Sequence, residues 1–417
     1  MSLPNLAWKN MLRYGRRTAI TAAAIAVGLV AYIAMDSLLV GMDLESERNL
    51  IWYETGTAKV LHEGYWEEHE ELPLDLAIAE PERLVEDLEE AGVPATPRIV
   101  FQAELVVRRN PYPEDGSLQV RGYGVDPDRD GTVFRIDEHL VAGRRLKPGE
   151  AGVVLGAILA DRLGAEVGFP LIIVTRTAEG YFQTIDAEVV GIVKTPNPVV
   201  DRSSVYLPLD VARLYLQMED KATEIALRLP ETAKLHESLS QARGAIGAGA
   251  GELSVLSWRE LAADYVALAE TKKSGSGIIL FLVFVIAVVG ISNTMIMAVF
   301  ERTREIGTLR ALGMPDRRVR LLFLYEAGAV GFLGSIAGLI VGAGVVYALV
   351  RWGIDYSAML ENMDIGYRTA GIMRGAWNPA AFVRALVSGV LVSAASAYLP
   401  TNHAVRRSVP DCLRYQR

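Results

Sequence analysis

Residues able to do covalent or metal chemistry are few in this sequence, and they are scattered. There are five histidines (His62, His69, His139, His236 and His403) and one cysteine, Cys412. His62 and His69 lie among Glu63, Glu67, Glu68, Glu70 and Glu71. That cluster offers weak cation binding at most, because no spacing of a structural metal site is present, and a solvated acidic loop is the simpler account. No G-x-x-x-x-G-K-[ST] occurs, so nothing cradles a nucleotide phosphate. No nucleophile and base flank a Gly-rich elbow. The sequence predicts a chain with no catalytic residue, cofactor or metal of its own, and therefore not an enzyme by itself.

The densest functional pattern is noncovalent. NTMIMAVFERTREIGTLRALG, Asn293 to Gly313, starts in an apolar run, turns charged at Glu301, Arg302, Arg304, Glu305 and Arg310, and leads to Pro315, Arg317, Arg318 and Arg320. Gly313 suits a helix C-cap and Pro315 cannot continue the helix. On charge alone this is a basic loop that fixes topology. Residue detail favours a docking helix. Glu301 with Arg304 and Arg302 with Glu305 fall three apart, Glu301 and Glu305 four apart, the spacings at which side chains meet on an exposed helix. Ile306, Leu309 and Leu312, three apart, form an apolar edge on the same helix. A topology signal needs neither feature.

The elements that hold this stretch are membrane spans. The 417 residues are 51% hydrophobic and 22% charged, with mean hydropathy +0.23, which describes a membrane protein with a large soluble part. Thr18–Val40, Gly277–Phe300, Leu321–Val350 and Ala380–Leu399 are each long enough for the roughly 30 Å hydrocarbon core, and the third is over-long. Residues 1–17 carry four basic residues and no acid, 301–320 carry six Arg against three acids, and the tail after Pro400 is basic. Residues 42–276 hold 41 acidic and 24 basic residues, a net charge of −17. The charge asymmetry puts both termini and the 301–320 loop inside and the large insertion outside. Thr18–Val40 reads as a retained span, since no A-x-A site follows it. Leu6–Leu12 reads as an interfacial amphipathic helix with Trp8 at the headgroups. The outside domain has no cysteine and must be held by its own core. No cysteine near the N-terminus could take a lipid. The acidic exterior disfavours nucleic acid as a partner.

NTMIMAVFERTREIGTLRALGMPDRRVRLLFLYEAG, with ERTREIG-x-LRALG at its centre, resembles the signature of the MacB/FtsX/LolC-type (type VII) ABC transporter permeases. The segment Leu6–Leu12 and the ending P-x-x-x-A-x-x-R-x-x-P-x-x-L-R resemble that family too. The resemblance implies that 301–313 is a coupling helix seated in a cytoplasmic ABC ATPase dimer. Glu301, Arg304, Glu305, Gly307, Leu309, Arg310, Ala311, Leu312 and Gly313 are then the coupling residues. ATP and Mg2+ belong to that partner. GVVLGAILADRLGAEVGFPLIIV and AEVVGIVKTPNPVVDRSSVYLPLDVARLYLQM resemble the external domains of the lipoprotein-releasing LolC/LolE-like members. Where relatives carry VGD this chain has Val167-Gly168-Phe169-Pro170, and Phe169 is odd on a plain surface.

Local patterning predicts an α+β outside domain. Helices are expected at Glu80–Ala91, Ala157–Leu163, Pro208–Met218 and Thr232–Ala245. Strands are expected at Ile99–Arg109, Leu118–Val125, Val153–Leu155, Leu171–Thr175, Ala187–Val193, Val205–Leu207, Glu224–Leu229 and Leu253–Leu256, with a turn over Asn110–Gly116. The predicted fold has four transmembrane α-helices and a Porter/Sabre-like α+β domain inserted between the first two. Its divisions are 1–41, 42–273 (about 43–128 plus 220–258 Porter-like, 129–219 Sabre-like) and 274–417, an FtsX-like membrane domain. Ser257–Lys273 reads as a helix entering the second span, with Ser274–Gly277 as a hinge. Gly334, Gly338 and Gly342 form a small-residue stripe for helix packing, within the chain or across a dimer. Asp36 and Glu326 read as interfacial. Trp352, Tyr356, Tyr367 and Trp377 make an aromatic belt.

By resemblance the function is a permease subunit of a mechanotransmitting bacterial ABC transporter in the inner membrane. It would work with a second permease subunit, in a homo- or heterodimer, and release lipoproteins from the outer leaflet to a periplasmic carrier among membrane lipids. The alternatives are MacB-like export of peptides or drugs, and FtsX-like activation of a cell-wall hydrolase.

Overall fold

A computed structural model describes residues 15–107, 116–230, 235–246, 252–356 and 371–414. In chain order these form α1 (Gly15–Leu50), a π turn (Ile51–Thr55), β1 (Ala58–His62), β2 (Ile78–Ala79), α2 (Pro81–Glu90), β3 (Ala95–Val107) and β4 (Gly116–Val125). Next come α3 (Asp130–Val133), β5 (Leu140–Gly143), β6 (Gly152–Gly156), α4 (Ala157–Leu163), β7 (Pro170–Arg176), β8 (Phe182–Val193) and α5 (Pro198–Ser203). β9 (Ser204–Pro208), α6 (Leu209–Leu216), β10 (Lys221–Ala222), β11 (Glu224–Leu227), α7 (Leu235–Ile246), β12 (Leu253–Ser257) and α8 (Trp258–Leu261) follow. The remainder is α9 (Ala263–Phe300), α10 (Thr303–Ala311), α11 (Asp316–Arg351), β13 (Ile354–Asp355), β14 (Ile372–Met373), α12 (Pro379–Arg406) and α13 (Val409–Arg414).

The chain divides into two compact units. The outer unit, Glu45–Leu268 with Tyr356–Gly371, is built on one mixed sheet in the order β12-β1-β11-β3-β4-β9-β6-β8-β5, with β7 bridging β3 and β8. β4 runs parallel to β9, and β3 pairs antiparallel with β7. The segment 129–219 is thus hydrogen-bonded into the same sheet as its flanks. Val/Ile/Leu-rich strands supply the core: Ile99, Phe101 and Leu105 of β3 pack with Leu155, Ile173, Ile185, Val205 and, from α6, Leu216. Phe169 tucks against this core. Gly168, in the turn before β7, takes φ +91°, a backbone that favours glycine.

A second apolar cluster of this unit, with Val100, Tyr123 and Phe134, has buried charges beside it. Arg98 on β3 is wholly buried and pairs with Asp130. Glu224, its cross-strand neighbour on β11, takes Lys59 Nζ at 2.7 Å. His62 lies 3.3 Å from Glu252, and His69 stacks on Trp66 with ring centroids 4.0 Å apart. Among the described residues no three His, Cys, Asp or Glu side chains are grouped to hold a metal.

The second unit is helical. Four helices are long and apolar enough to cross a membrane: Thr18–Thr55, Ala263–Met297, Asp316–Arg351 and Pro379–Arg406. Small residues set their packing. A Cβ on Gly331 of α11 would lie 2.7 Å from Ser393 of α12, and one on Gly28 of α1 would lie 3.0 Å from Ala287 of α9. Ser292 and Ser396 share a 2.7 Å hydrogen bond between α9 and α12.

Several expectations change. The 257–273 helix is broken: Ser257 and Glu260 form a capping box on α8, and Ala262, at φ −120° and ψ 41°, ends it before α9 begins. Ser274–Gly277 is no hinge but continuous helix within α9, where Ser274 Oγ donates to the Glu270 carbonyl at 3.2 Å. Asp36 is packed inside the helical unit. It is 2% exposed and accepts hydrogen bonds from Asn378 at 2.7 Å and Arg384 at 3.1 Å, which tie α1 to α12. β1, which pairs with both β11 and β12, had no sequence counterpart. Trp8, most of the 110–116 turn and Tyr367 lie outside the described residues. Trp352 is exposed and Trp377 stacks on Phe382.

Candidate functional site: the polar helix between the second and third spans

The docking helix is shorter than the sequence suggests. Glu301 and Arg302 form a turn after α9, and α10 covers Thr303–Ala311. Its C-terminus is a Schellman turn: Met314 N–H donates to the Leu309 carbonyl at 3.1 Å and Gly313 N–H to Arg310 at 3.0 Å. Gly313, at φ +87°, supplies the left-handed residue that this turn requires. Met314 and Leu309 are both packed against the helical core, the hydrophobic contact that accompanies the motif.

α10 has two faces. The inner one holds Ile306, fully buried with Val319, Phe323, Ala404 and Val405, together with Thr303, Gly307 and half-buried Leu309. The outer one holds Arg304, Thr308, Ala311 and Leu312, and Leu312 is 81% exposed. Ile306, Leu309 and Leu312 therefore do not form one edge. The helix ends at Ala311, and Leu312 points the other way, out of the unit.

The charged residues divide in the same manner. Glu301 and Arg304 are exposed, and Glu305 is half-exposed. Arg310 is mostly buried: its Nε donates to Asp316 at 3.0 Å and its Nη1 to the Arg407 carbonyl at 2.6 Å. α13 packs on α10, and Cys412 in it is wholly buried. Arg310 thus serves the chain's own packing and is not a free anchor for another protein.

The Arg302–Glu305 spacing is realised as an ion pair, and what sequence reasoning missed is the second partner of Arg302, Glu326. Arg302 lies in the turn and is 8% exposed; it donates to Glu305 at 2.7 Å and to Glu326 on α11. Glu326 is 9% exposed and paired with Arg302. Burial acts against the charge on Arg302, but Glu326 and Glu305 offset it, and its pKa lies above the ordinary guanidinium value. The signal available beforehand was a lone Glu in an apolar span, which requires a partner. Gly334, Gly338 and Gly342 of α11 all face α1: their nearest neighbours are Ala22 and Ile25, Ala26 and Leu29, and Ile33. The stripe packs within the chain.

Four helices fit for a membrane, an outer α+β unit between the first two, and a polar helix between the second and third define a class of multi-pass membrane protein. A family model described as the MacB-like periplasmic core domain matches residues 18–245, and one described as the FtsX-like permease C-terminal matches 277–409. The first covers more than half of the chain, and the chain belongs to the MacB/FtsX-like permease family.

It is 28% identical over 263 residues to the lipoprotein-releasing system transmembrane protein LolC of Neisseria meningitidis, 59% of this chain and 60% of that protein. It is 30% identical over 239 residues to an uncharacterised ABC transporter permease of Methanocaldococcus jannaschii, 54% of each. It is 24% identical over 292 residues to the macrolide export ATP-binding/permease protein MacB of Pasteurella multocida, 68% of this chain and 41% of that protein. The chain spans between half and two thirds of the length of the first two.

Proposed function

We propose that this chain is the non-catalytic permease subunit of a mechanotransmitting ABC transporter, with both termini and α10 on the cytoplasmic side of the inner membrane. A separate ATPase dimer, which holds ATP and Mg2+, docks on α10 and the tail that follows α12. A second permease subunit, the same chain or a related one, completes the membrane part. The observation that carries this reading is the two-faced α10: its inner face is fastened to the chain, and Arg304, Thr308, Ala311 and Leu312 are left to a partner.

The task we infer is release of lipoproteins from the inner membrane, with passage to a periplasmic carrier. The similarity to LolC supports it. The similarity to MacB supports export of peptides or drugs as the second reading. The outer domain is proposed to work as a Porter-like part, about 43–128 plus 220–258, and a Sabre-like insert, 129–219. Purification of the full chain with its native ATPase, followed by mass spectrometry of co-purifying lipidated proteins, tests the assignment. Enriched lipidated proteins are expected. An ATPase complex that carries none, and whose turnover responds to a drug or peptide, rejects lipoprotein release.

A further inference from the structure

Arg302 is placed where three elements meet. It closes the turn from α9 into α10, and its guanidinium reaches carboxylates on two different helices. Nε and Nη2 donate to Glu305 Oε2 on α10, each at 2.7 Å. Nη1 donates to Glu326 on α11 in a close contact. Phe323, one turn before Glu326 on α11, has its ring centroid 5.1 Å from the guanidinium carbon. A guanidinium presents donors along two edges of one rigid plane, so it can hold two carboxylates in fixed relative positions; an ammonium cannot.

The opposite end of α10 is fastened separately, through Arg310 to Asp316 at the start of α11 and to the Arg407 carbonyl. Ile306 fills the space between the two fastenings and contacts the same apolar cluster as Val319 and Phe323 of α11. α10 and α11 are therefore joined at both ends and along the middle. The Arg302 end is the more demanding one, because it buries a cation against the buried Glu326 with half-exposed Glu305 beside them, and a buried pair is stable only while both partners are present.

We infer that Arg302 is a positioning residue that locks α10 onto α11 through Glu326, so that force applied to the exposed face of α10 moves the two helices as one body. The inference rests on the docking role proposed for α10. It adds that the stroke is delivered to the third span by a buried charge clamp, and that Arg302 itself does not touch the ATPase.

The test uses the full chain in nanodiscs, with Cys412→Ser and spin labels at the exposed positions Arg304→Cys and Leu321→Cys. A single narrow distance is expected with Arg302 and Glu326 intact. Arg302→Gln and Glu326→Gln should each broaden it. The double variant should be no broader than the worse single one, since neither charge is left unpaired. Arg302→Lys, which keeps the charge without the fork, should fall between. In a second measurement, on the unlabelled chain with Arg304 and Leu321 intact, the purified ATPase is added. Arg302→Gln should keep ATPase capture within about twofold and lose about tenfold of permease-stimulated turnover, a loss within the usual range of coupling between sites.

An unchanged narrow distance in both single variants overturns the clamp. Loss of capture by Arg302→Gln with an unchanged distance also overturns it, since Arg302 would then be a contact residue. If Arg302→Gln does not insert, Glu326→Gln decides, because there Arg302 keeps Glu305. If the unaltered chain captures no ATPase, the docking reading fails, and the distance measurement still judges the clamp.

Discussion

Arg98 and Asp130 meet as a two-pronged ion pair inside the outer unit: Nε to Oδ1 and Nη2 to Oδ2, each at 2.7 Å. The Arg98 side chain is wholly buried, and its guanidinium carbon lies 3.3 Å from the centroid of the Phe134 ring. A cation so enclosed depends on its carboxylate. Asp130→Ala should destabilise the outer unit by roughly 3–5 kcal/mol, the cost of orphaning a buried charge. In a unit of this size that corresponds to a Tm lower by about 10 °C. The double variant Arg98→Met/Asp130→Ala should recover much of the loss. Thermal unfolding of the three proteins checks this, and a double variant less stable than Asp130→Ala would refute the argument.

Asp201 on α5 gives a pH dependence of definite sign. It is 3% exposed, and burial pushes its carboxyl up to about 6, although hydrogen bonds from Thr195 N–H at 3.0 Å and Thr195 Oγ1 at 2.8 Å favour the charged form. An acid with a raised folded pKa binds its proton more tightly when folded. Its effect therefore stabilises the fold as pH falls from about 7 towards the ordinary aspartate value near 4. The unit should be less stable at pH 7.5 than at pH 5 by roughly 1–1.5 kcal/mol from this group, about one pKa unit of the shift. Asp201→Asn should lose that difference. Melting of both proteins across this pH range is the measurement, and identical pH profiles would rule the effect out.

Gly338, in the middle of its stripe, brings the third span close to the first. An added Cβ would lie 3.1 Å from Ala26 Cα and 3.3 Å from Leu29 Cβ on α1. Gly338→Leu should separate α1 from α11 and cut the yield of monodisperse protein severalfold, because close backbone approach depends on small residues there. Gly344, with nothing within 4 Å, is the control on the same helix. Size-exclusion profiles of both variants in detergent decide it; equal yields would mean the α1–α11 contact is dispensable.

What the sequence revealed depended on the range of the interaction. Four long apolar runs appear as four long helices because length and hydropathy are properties of one segment. Ala157–Leu163 appears with unchanged bounds, since Gly156 and Gly164 bracket it and Gly164 takes the left-handed conformation at its end. Arg302 and Glu326 are 24 residues apart, and no local rule pairs them. Ser274–Gly277 was misread because glycine permits a bend without requiring one, and the rest of α9 is strongly apolar helix. Phe169 looked out of place because the core it covers is assembled from strands distant in sequence.

The decisive prediction concerns Leu309 and Leu312, which local spacing treats as equal anchors. Leu309 is half-buried against the helical core and sits at the base of the Schellman turn. Leu312 follows the end of α10 and is 81% exposed. Leu309→Asp should place a carboxylate in that core and impair the membrane unit itself, with loss of folded protein. Leu312→Asp should leave insertion, yield and the melt of the outer unit unchanged, because the flanking Arg residues that bias topology are untouched. Its effect should fall on the partner: a carboxylate set where a docked surface covers an apolar side chain is desolvated without a counter-charge, and a loss of about 2 kcal/mol, roughly thirtyfold in affinity, is expected. Arg304→Glu, about two turns away on the same exposed face, should act in the same direction and more strongly at low salt. The measurement is capture of the ATPase from detergent-solubilised membranes, beside a size-exclusion profile of each variant. Full ATPase capture by Leu312→Asp and Arg304→Glu together would show that the outer face of α10 is not a docking surface, and that the loop serves membrane topology alone.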